Sequence, residues 1–220
     1  MLLHPKELER GFLITFEGNE GVGKSTQSRL LAEKLGQEGY DVVLTREPGG
    51  TKGAEELRNI LLFGEAEFSS CSEILLHMAA RLDHVEKMIK PALAEGKVVI
   101  CDRFHDSTIA YQVYGACFRD AKAMELVTFL RHFIHCEADL TFWLDMELKA
   151  AFQRVQTRGG KTDQYEGQGQ VFHERVRTGF AELARTEPGR MIRIDASSSE
   201  KDVQEQIYRK VKVLLSHKMA

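Results

Sequence analysis

Residues 12–26 read FLITFEGNEGVGKST, and the fold follows from them. FLITFE has the β-branched and aromatic character of a buried strand. It runs straight into Gly18-Asn19-Glu20-Gly21-Val22-Gly23-Lys24-Ser25, a glycine, four residues, Gly-Lys and a hydroxyl residue, after which Thr26 and QSRLLAEKL continue as an amphipathic helix. Strand, glycine-rich turn and helix start, in that order, build a polyphosphate cradle. Gly18, Gly21 and Gly23 permit backbone angles that turn amide N–H groups inward, and the helix start adds the positive end of its dipole. The loop from Gly18 to Thr26 is therefore expected to bind the phosphates of a nucleoside triphosphate, with Lys24 reaching the β and γ phosphates and the Ser25 hydroxyl ligating Mg²⁺. GTPases, transport ATPases and kinases share this loop, so it marks a site without choosing a reaction.

Outward from the loop, apolar runs at 41–46 (DVVLTR), 98–102 (VVICD), 140–145 (LTFWLD) and 191–195 (MIRID) alternate with helical patterns. Five short strands, each followed by helix, predict a parallel sheet covered on both faces, an α/β fold within a single domain over 1–220. Leu75, Met78, Leu82, Val85 and Ile89 repeat at helical spacing, as do Val203, Ile207, Val211 and Leu214, and both stripes read as core. RGGKTDQYEGQGQ (158–170) is a polar, Gly-rich interruption, either a surface loop or a mobile lid; the nucleotide site favours a lid over about 154–170.

Composition narrows the function. With 220 residues, 43% hydrophobic, the chain can bury a substantial core, and a net charge of −3 argues against a nucleic-acid partner. No run approaches the roughly 20 apolar residues of a membrane span, so a soluble, cytoplasmic protein with no membrane partner is expected. Cys71, Cys101, Cys117 and Cys136 lack zinc spacing and read as free, mostly buried thiols.

Four further segments bring the sequence close to a known family: TREPGGT (45–51), LLHMAARLDHV (75–85), KPALAEGKVVICDRF (90–104) and STIAYQ (107–112). With the glycine-rich loop, in this order and spacing, they resemble a bacterial-type thymidylate kinase over nearly the whole chain. The resemblance implies a three-layer α/β/α P-loop fold with strand order 2-3-1-4-5, ATP as the triphosphate bound by the loop from Gly18 to Thr26, transfer of its γ-phosphate to dTMP, Mg²⁺ as cofactor and a homodimer. The 45–51, 75–85 and 102–112 segments then supply the acceptor site. Asp102 holds the hydration shell of Mg²⁺, Arg103 and Arg46 grip the acceptor phosphate beside Pro48, and Glu20 accepts the sugar 3′-hydroxyl. Ser107 and Gln112 border the base, and Tyr111 packs under the sugar where a 2′-hydroxyl would collide. Arg81 donates to a thymine carbonyl, His77 stacks on the ring, Arg154 lies near the ATP purine, and Arg158 joins Lys24 and Arg103 as a catalytic cation. The homodimer would use apolar helices such as 122–134, whose Leu126, Phe129, Leu130 and Phe133 read equally as core.

Departures from the family stand at three places. His77 replaces a Phe, substituting a smaller, titratable ring on the flank of its helix. Asp163-Gln164 replaces an Asp-Arg pair. Val113 to Phe118 replaces a Gly-rich run containing Arg. Rival readings at this point are another nucleoside-monophosphate or deoxynucleoside kinase, or a nucleotide-binding regulator that has lost catalysis.

Overall fold

The apolar runs form the strands β1 Phe12–Glu17, β2 Val42–Arg46, β3 Val98–Asp102, β4 Leu140–Asp145 and β5 Met191–Asp195. The structure, a computed structural model, describes residues 11–158 and 163–218. All strand pairs are parallel, in the expected order β2-β3-β1-β4-β5. Every residue of β1 and β4 is buried, as befits central strands covered on both faces. Their two polar centres satisfy each other, the Thr15 and Thr141 hydroxyls meeting at 2.7 Å. Edge strand β2 starts one residue later than 41–46 and is partly exposed.

The helices are α1 Lys24–Gln37, α2 Lys52–Phe63, α3 Ser70–His84, α4 Lys90–Ala94, α5 His105–Thr108, α6 Ala121–Ile134, α7 Leu148–Arg158, α8 Gln170–Thr186 and α9 Glu200–Lys218. π-Helical turns join α3 to α4 (Val85–Ile89) and prolong α5 (Ile109–Ala116). Thr51, Ser69 and Asp120 cap α2, α3 and α6, each side chain accepting the backbone N–H three residues on. The departure at 113–118 falls largely in the second π-helical stretch, where Tyr114 lies against Gly179 of α8.

Two cores sandwich the sheet. On one face Leu31 and Leu35 of α1 pack with Val203, Ile207 and Val211 of α9 over Ile14 and Phe142. On the other, Ile74 and Met78 of α3, Val127 of α6 and Phe180 of α8 cover Leu13 and Val99. Most of the predicted stripe is core, but Leu75 is 49% exposed and is not. Ile74 and Met78 set the inward face of α3, and Leu75 stands about 100° round the helix from Ile74. The cysteines are free as expected, although only Cys101 and Cys136 are buried, Cys71 and Cys117 being partly exposed.

Candidate active site

Parallel register sets Phe16 of β1 and Arg46 of β2 opposite Asp102 of β3. The three strand ends therefore open on one side of the sheet, where α/β folds bind ligands. A cleft of about 650 Å³ lies there, lined from Ser25 and Arg154 at one end to His77 and Gln112 at the other. Gly18, Gly21 and Gly23 have φ of 133°, 77° and 97°, the angles the loop demands of glycine. At Gly21 the space is closed as well: a Cβ would lie 2.2 Å from the Ala151 carbonyl oxygen of α7.

Lys24 lies under this loop and donates to the Asn19 carbonyl at 2.7 Å. Burial, and then the nearby Arg103 cation, pull its pKa down to about 8. The Asn19 side chain turns inward and donates to the His173 carbonyl at 3.1 Å. The Val22 side chain is likewise buried in the core. Ser25 Oγ donates directly to the Asp102 carboxylate. A hydroxyl and a carboxylate side by side at the mouth of a phosphate loop are the oxygen donors a hard divalent cation takes, so these residues fit Mg²⁺.

Arg103 holds the centre. Its Nη1 donates to the Gly18 carbonyl and Ser107 Oγ, both at 3.0 Å, and its Nη2 to Glu20 Oε1 at 2.6 Å and the Tyr111 hydroxyl at 3.0 Å. Tyr111 in turn donates to Glu20 Oε2 at 2.6 Å. Glu20 thus points inward, only 11% exposed. Burial opposes its charge, but Arg103 and Lys24 outweigh burial and hold its pKa below the usual value. Arg103 has φ of 72°, a left-handed angle, and the turn that follows it is pinned from below by Glu17, whose carboxylate oxygens take the Phe104 N–H at 2.8 Å and the Ser107 hydroxyl at 2.5 Å. Burial pushes the Glu17 carboxyl up to about 8.

At the far end the helix flank resolves differently from expectation. Arg81 is 3% exposed and engaged: Nε to Glu47 at 2.6 Å, Nη1 to Thr108 and the Met78 sulfur, Nη2 to the Phe104 carbonyl. Of its five N–H groups, one on Nη2 has no partner among the described residues. His77 is buried and hydrogen-bonded to the Tyr165 hydroxyl at 2.8 Å. It is not the titratable ring expected: burial, then Arg81 and Arg103, pull its pKa down to about 3 and keep it neutral.

A family model described as thymidylate kinase matches residues 16–207. The chain belongs to the thymidylate kinase family. A thymidylate kinase of Gluconobacter oxydans is 51% identical over 194 residues, 88% of this chain and 91% of that protein. One from Caulobacter vibrioides is 47% identical over 193 residues, 87% and 91% of the two chains. The crystal structure of thymidylate kinase from Ehrlichia chaffeensis superposes with a TM-score of 0.73 at 38% identity, covering 92% of this chain and 99% of that one.

Arg46, Pro48, Ser107, Tyr111 and Gln112, the other acceptor residues inferred from the thymidylate kinase pattern, all line the cleft. Arg46 is exposed and pairs with Glu55 at 3.2 Å. Arg154 donates to the Ala196 carbonyl at 3.3 Å, at the phosphate-loop end of the cleft. Arg158 ends α7, and its side chain lies outside the described residues, as does the rest of the lid up to 162. Several residues in or under the site were missed, Glu47 and Thr108, which hold Arg81, among them. Arg58 donates to the Pro48 carbonyl at 2.8 Å and lines the cleft; its signal was its place, half-buried, on the α2 face that carries the buried Ala54 and Leu61, where a cation needs a reason. Tyr165 was signalled only by being the one aromatic in a polar interruption. Glu17 read as the last residue of a strand.

Proposed function

We propose that this chain transfers the γ-phosphate of MgATP in line to dTMP, giving ADP and dTDP, with its own residues acting by position and charge. The observation that carries the reading is the convergence of Lys24, Arg46 and Arg103 with the Ser25–Asp102 pair in one cleft. A phosphomonoester with a second pKa near 6 is already an anionic nucleophile at neutral pH, so no base is required. The obstacle is repulsion between two polyanions. Lys24 holds the β and γ phosphates, Arg103 and Arg46 hold the acceptor phosphate, and Arg158, by family pattern, neutralises charge on the moving group. Ser25 and Asp102 would hold Mg²⁺, which when bound would supply further neutralisation of phosphate charge. Glu20 accepts the 3′-hydroxyl, and Tyr111, fixed by Glu20 and Arg103, fills the space a ribose 2′-hydroxyl would need. Arg154 lies by the purine.

Release of ADP from MgATP, measured with dTMP, dUMP, dCMP, dGMP and the ribonucleotide of thymine, is expected to favour dTMP by at least about tenfold. Equal rates with all five overturn the substrate assignment, and phosphorylation of thymidine in place of dTMP turns it to a nucleoside kinase.

No helix among the described residues is long and apolar enough to cross a membrane, and we place the enzyme in the cytoplasm. The homodimer reading rests on α6, where Phe129 and Phe133 are 67% and 64% exposed, while Leu126 and Leu130 pack toward the core. Leu75 adds an exposed apolar side chain on α3, which packs on α6. Such a face is costly to leave in water. Phe129→Glu with Phe133→Glu is expected to convert a dimer to a monomer of 24.9 kDa in light scattering, with helical circular dichroism unchanged. A wild type already monomeric at micromolar concentration overturns it.

A further inference from the structure

Tyr165, from the stretch between α7 and α8, reaches into the acceptor end of the cleft and meets three polar side chains that the phosphate chemistry does not use. Its hydroxyl donates to Glu73 Oε1. Its oxygen receives Gln112 Nε2 at 3.0 Å and faces His77 Nε2 at 2.8 Å. Gln112 Nε2 also donates to Glu73 Oε1 at 3.2 Å.

Proton counting fixes every orientation in this cluster. A phenol has one proton, and here it goes to a carboxylate. Burial, then Glu73, raise the Tyr165 pKa far above its ordinary value, so that proton stays. Both other partners must then donate to the phenol oxygen. Gln112 is held with its NH₂ toward Tyr165 and Glu73, since the reverse would set its carbonyl against the carboxylate. His77, neutral, carries its proton on Nε2. The remaining atoms of these two residues, Gln112 Oε1 and His77 Nδ1, are therefore bare acceptors, and neither has a partner among the described residues. Both residues line the cleft, as does Arg81 with its one unused N–H.

We propose that Tyr165 is a specificity-positioning residue: it sets Gln112 and His77 to present acceptors that, beside the free Arg81 N–H, complement the ring N3–H and O4 of a thymine or uracil and oppose cytosine. Cytosine carries a bare nitrogen at N3 and an amino group at position 4, so both of its groups face like partners on this wall. A wrong pairing here leaves buried polar atoms unsatisfied, which is where recognition discriminates hardest. This rests on the acceptor pocket being the dTMP site. It also gives the replacement of the family Phe at His77 a physical partner: the imidazole is tolerated because a tyrosine hydroxyl on another element satisfies it.

The test is steady-state kinetics of Tyr165→Phe with dTMP and dCMP as acceptors, beside His77→Phe and the double variant. Tyr165→Phe is expected to lower the dTMP-to-dCMP ratio of kcat/KM about tenfold, mainly through a raised KM for dTMP, with the KM for ATP and the melting temperature close to wild type. Because both changes remove the same hydrogen bond, the double variant is expected to lose no more than the worse single one. A Tyr165→Phe ratio within twofold of wild type, or strictly additive losses, overturns the proposal. A wild type with no preference for dTMP over dCMP sinks the pocket assignment itself, and this proposal with it.

Discussion

Arg103→Ala is expected to lower kcat/KM for dTMP about a thousandfold while the KM for ATP changes little. Beyond gripping the acceptor phosphate, the role proposed for it, the guanidinium is a structural tie. Its two terminal nitrogens tie together the Gly18 carbonyl of the phosphate loop, Ser107 and Tyr111 of the acceptor wall, and Glu20 between them. Removing it deletes a cation from the acceptor phosphate and leaves the Glu20 carboxylate beside that phosphate without the charge that offsets it. Both effects grow as negative charge gathers in the transition state, so kcat falls along with affinity. Arg103→Lys should recover little, because an ammonium on a flexible stem cannot bridge four acceptors that a planar fork spans. Initial rates across dTMP concentrations decide it, and a loss under tenfold would show that Arg46 and Arg58 carry the acceptor phosphate instead.

What the sequence made legible was local. The phosphate loop is eight contiguous residues whose backbone angles follow from their glycines, and a buried parallel strand announces itself by an unbroken apolar run, so β1, α1 and Asp102-Arg103 could be placed without coordinates. The rest depends on contacts across long separations. The His77–Tyr165 bond joins residues 88 apart, and no periodicity in α3 reveals it. Arg81 shows the same limit from the other side: its position on the flank of the α3 stripe is legible, but the Glu47, Thr108 and Phe104 groups that take most of its donors come from three other segments. Glu17 was invisible because a carboxylate at the end of a strand is ordinary until the 104–107 turn is seen to rest on it.

Lys24→Met is expected to cost at least about a thousandfold in kcat while making the empty protein more stable. Folding buries this ammonium and sets it near Arg103, lowering its pKa from 10.5 to about 8. The folded state therefore holds the proton less tightly than the unfolded chain does. Below pH 8 both states are protonated and folding bears the full cost of burying the charge, on the order of 3 kcal/mol. Between pH 8 and 10.5 the unfolded chain keeps a proton that the native state has shed, so wild-type stability gains on the variant through that window. Methionine keeps the length and the apolar stem but abandons the Asn19 carbonyl, which returns roughly 1 kcal/mol of the gain. Urea unfolding at pH 7 should then place the variant about 2 kcal/mol above wild type, with the gap closing by pH 10. MgATP should reverse the order, since polyphosphate stabilises only the protein that still has the cation to bind it. A variant less stable than wild type at pH 7 without nucleotide would mean that the loop is built around the lysine, not strained by it.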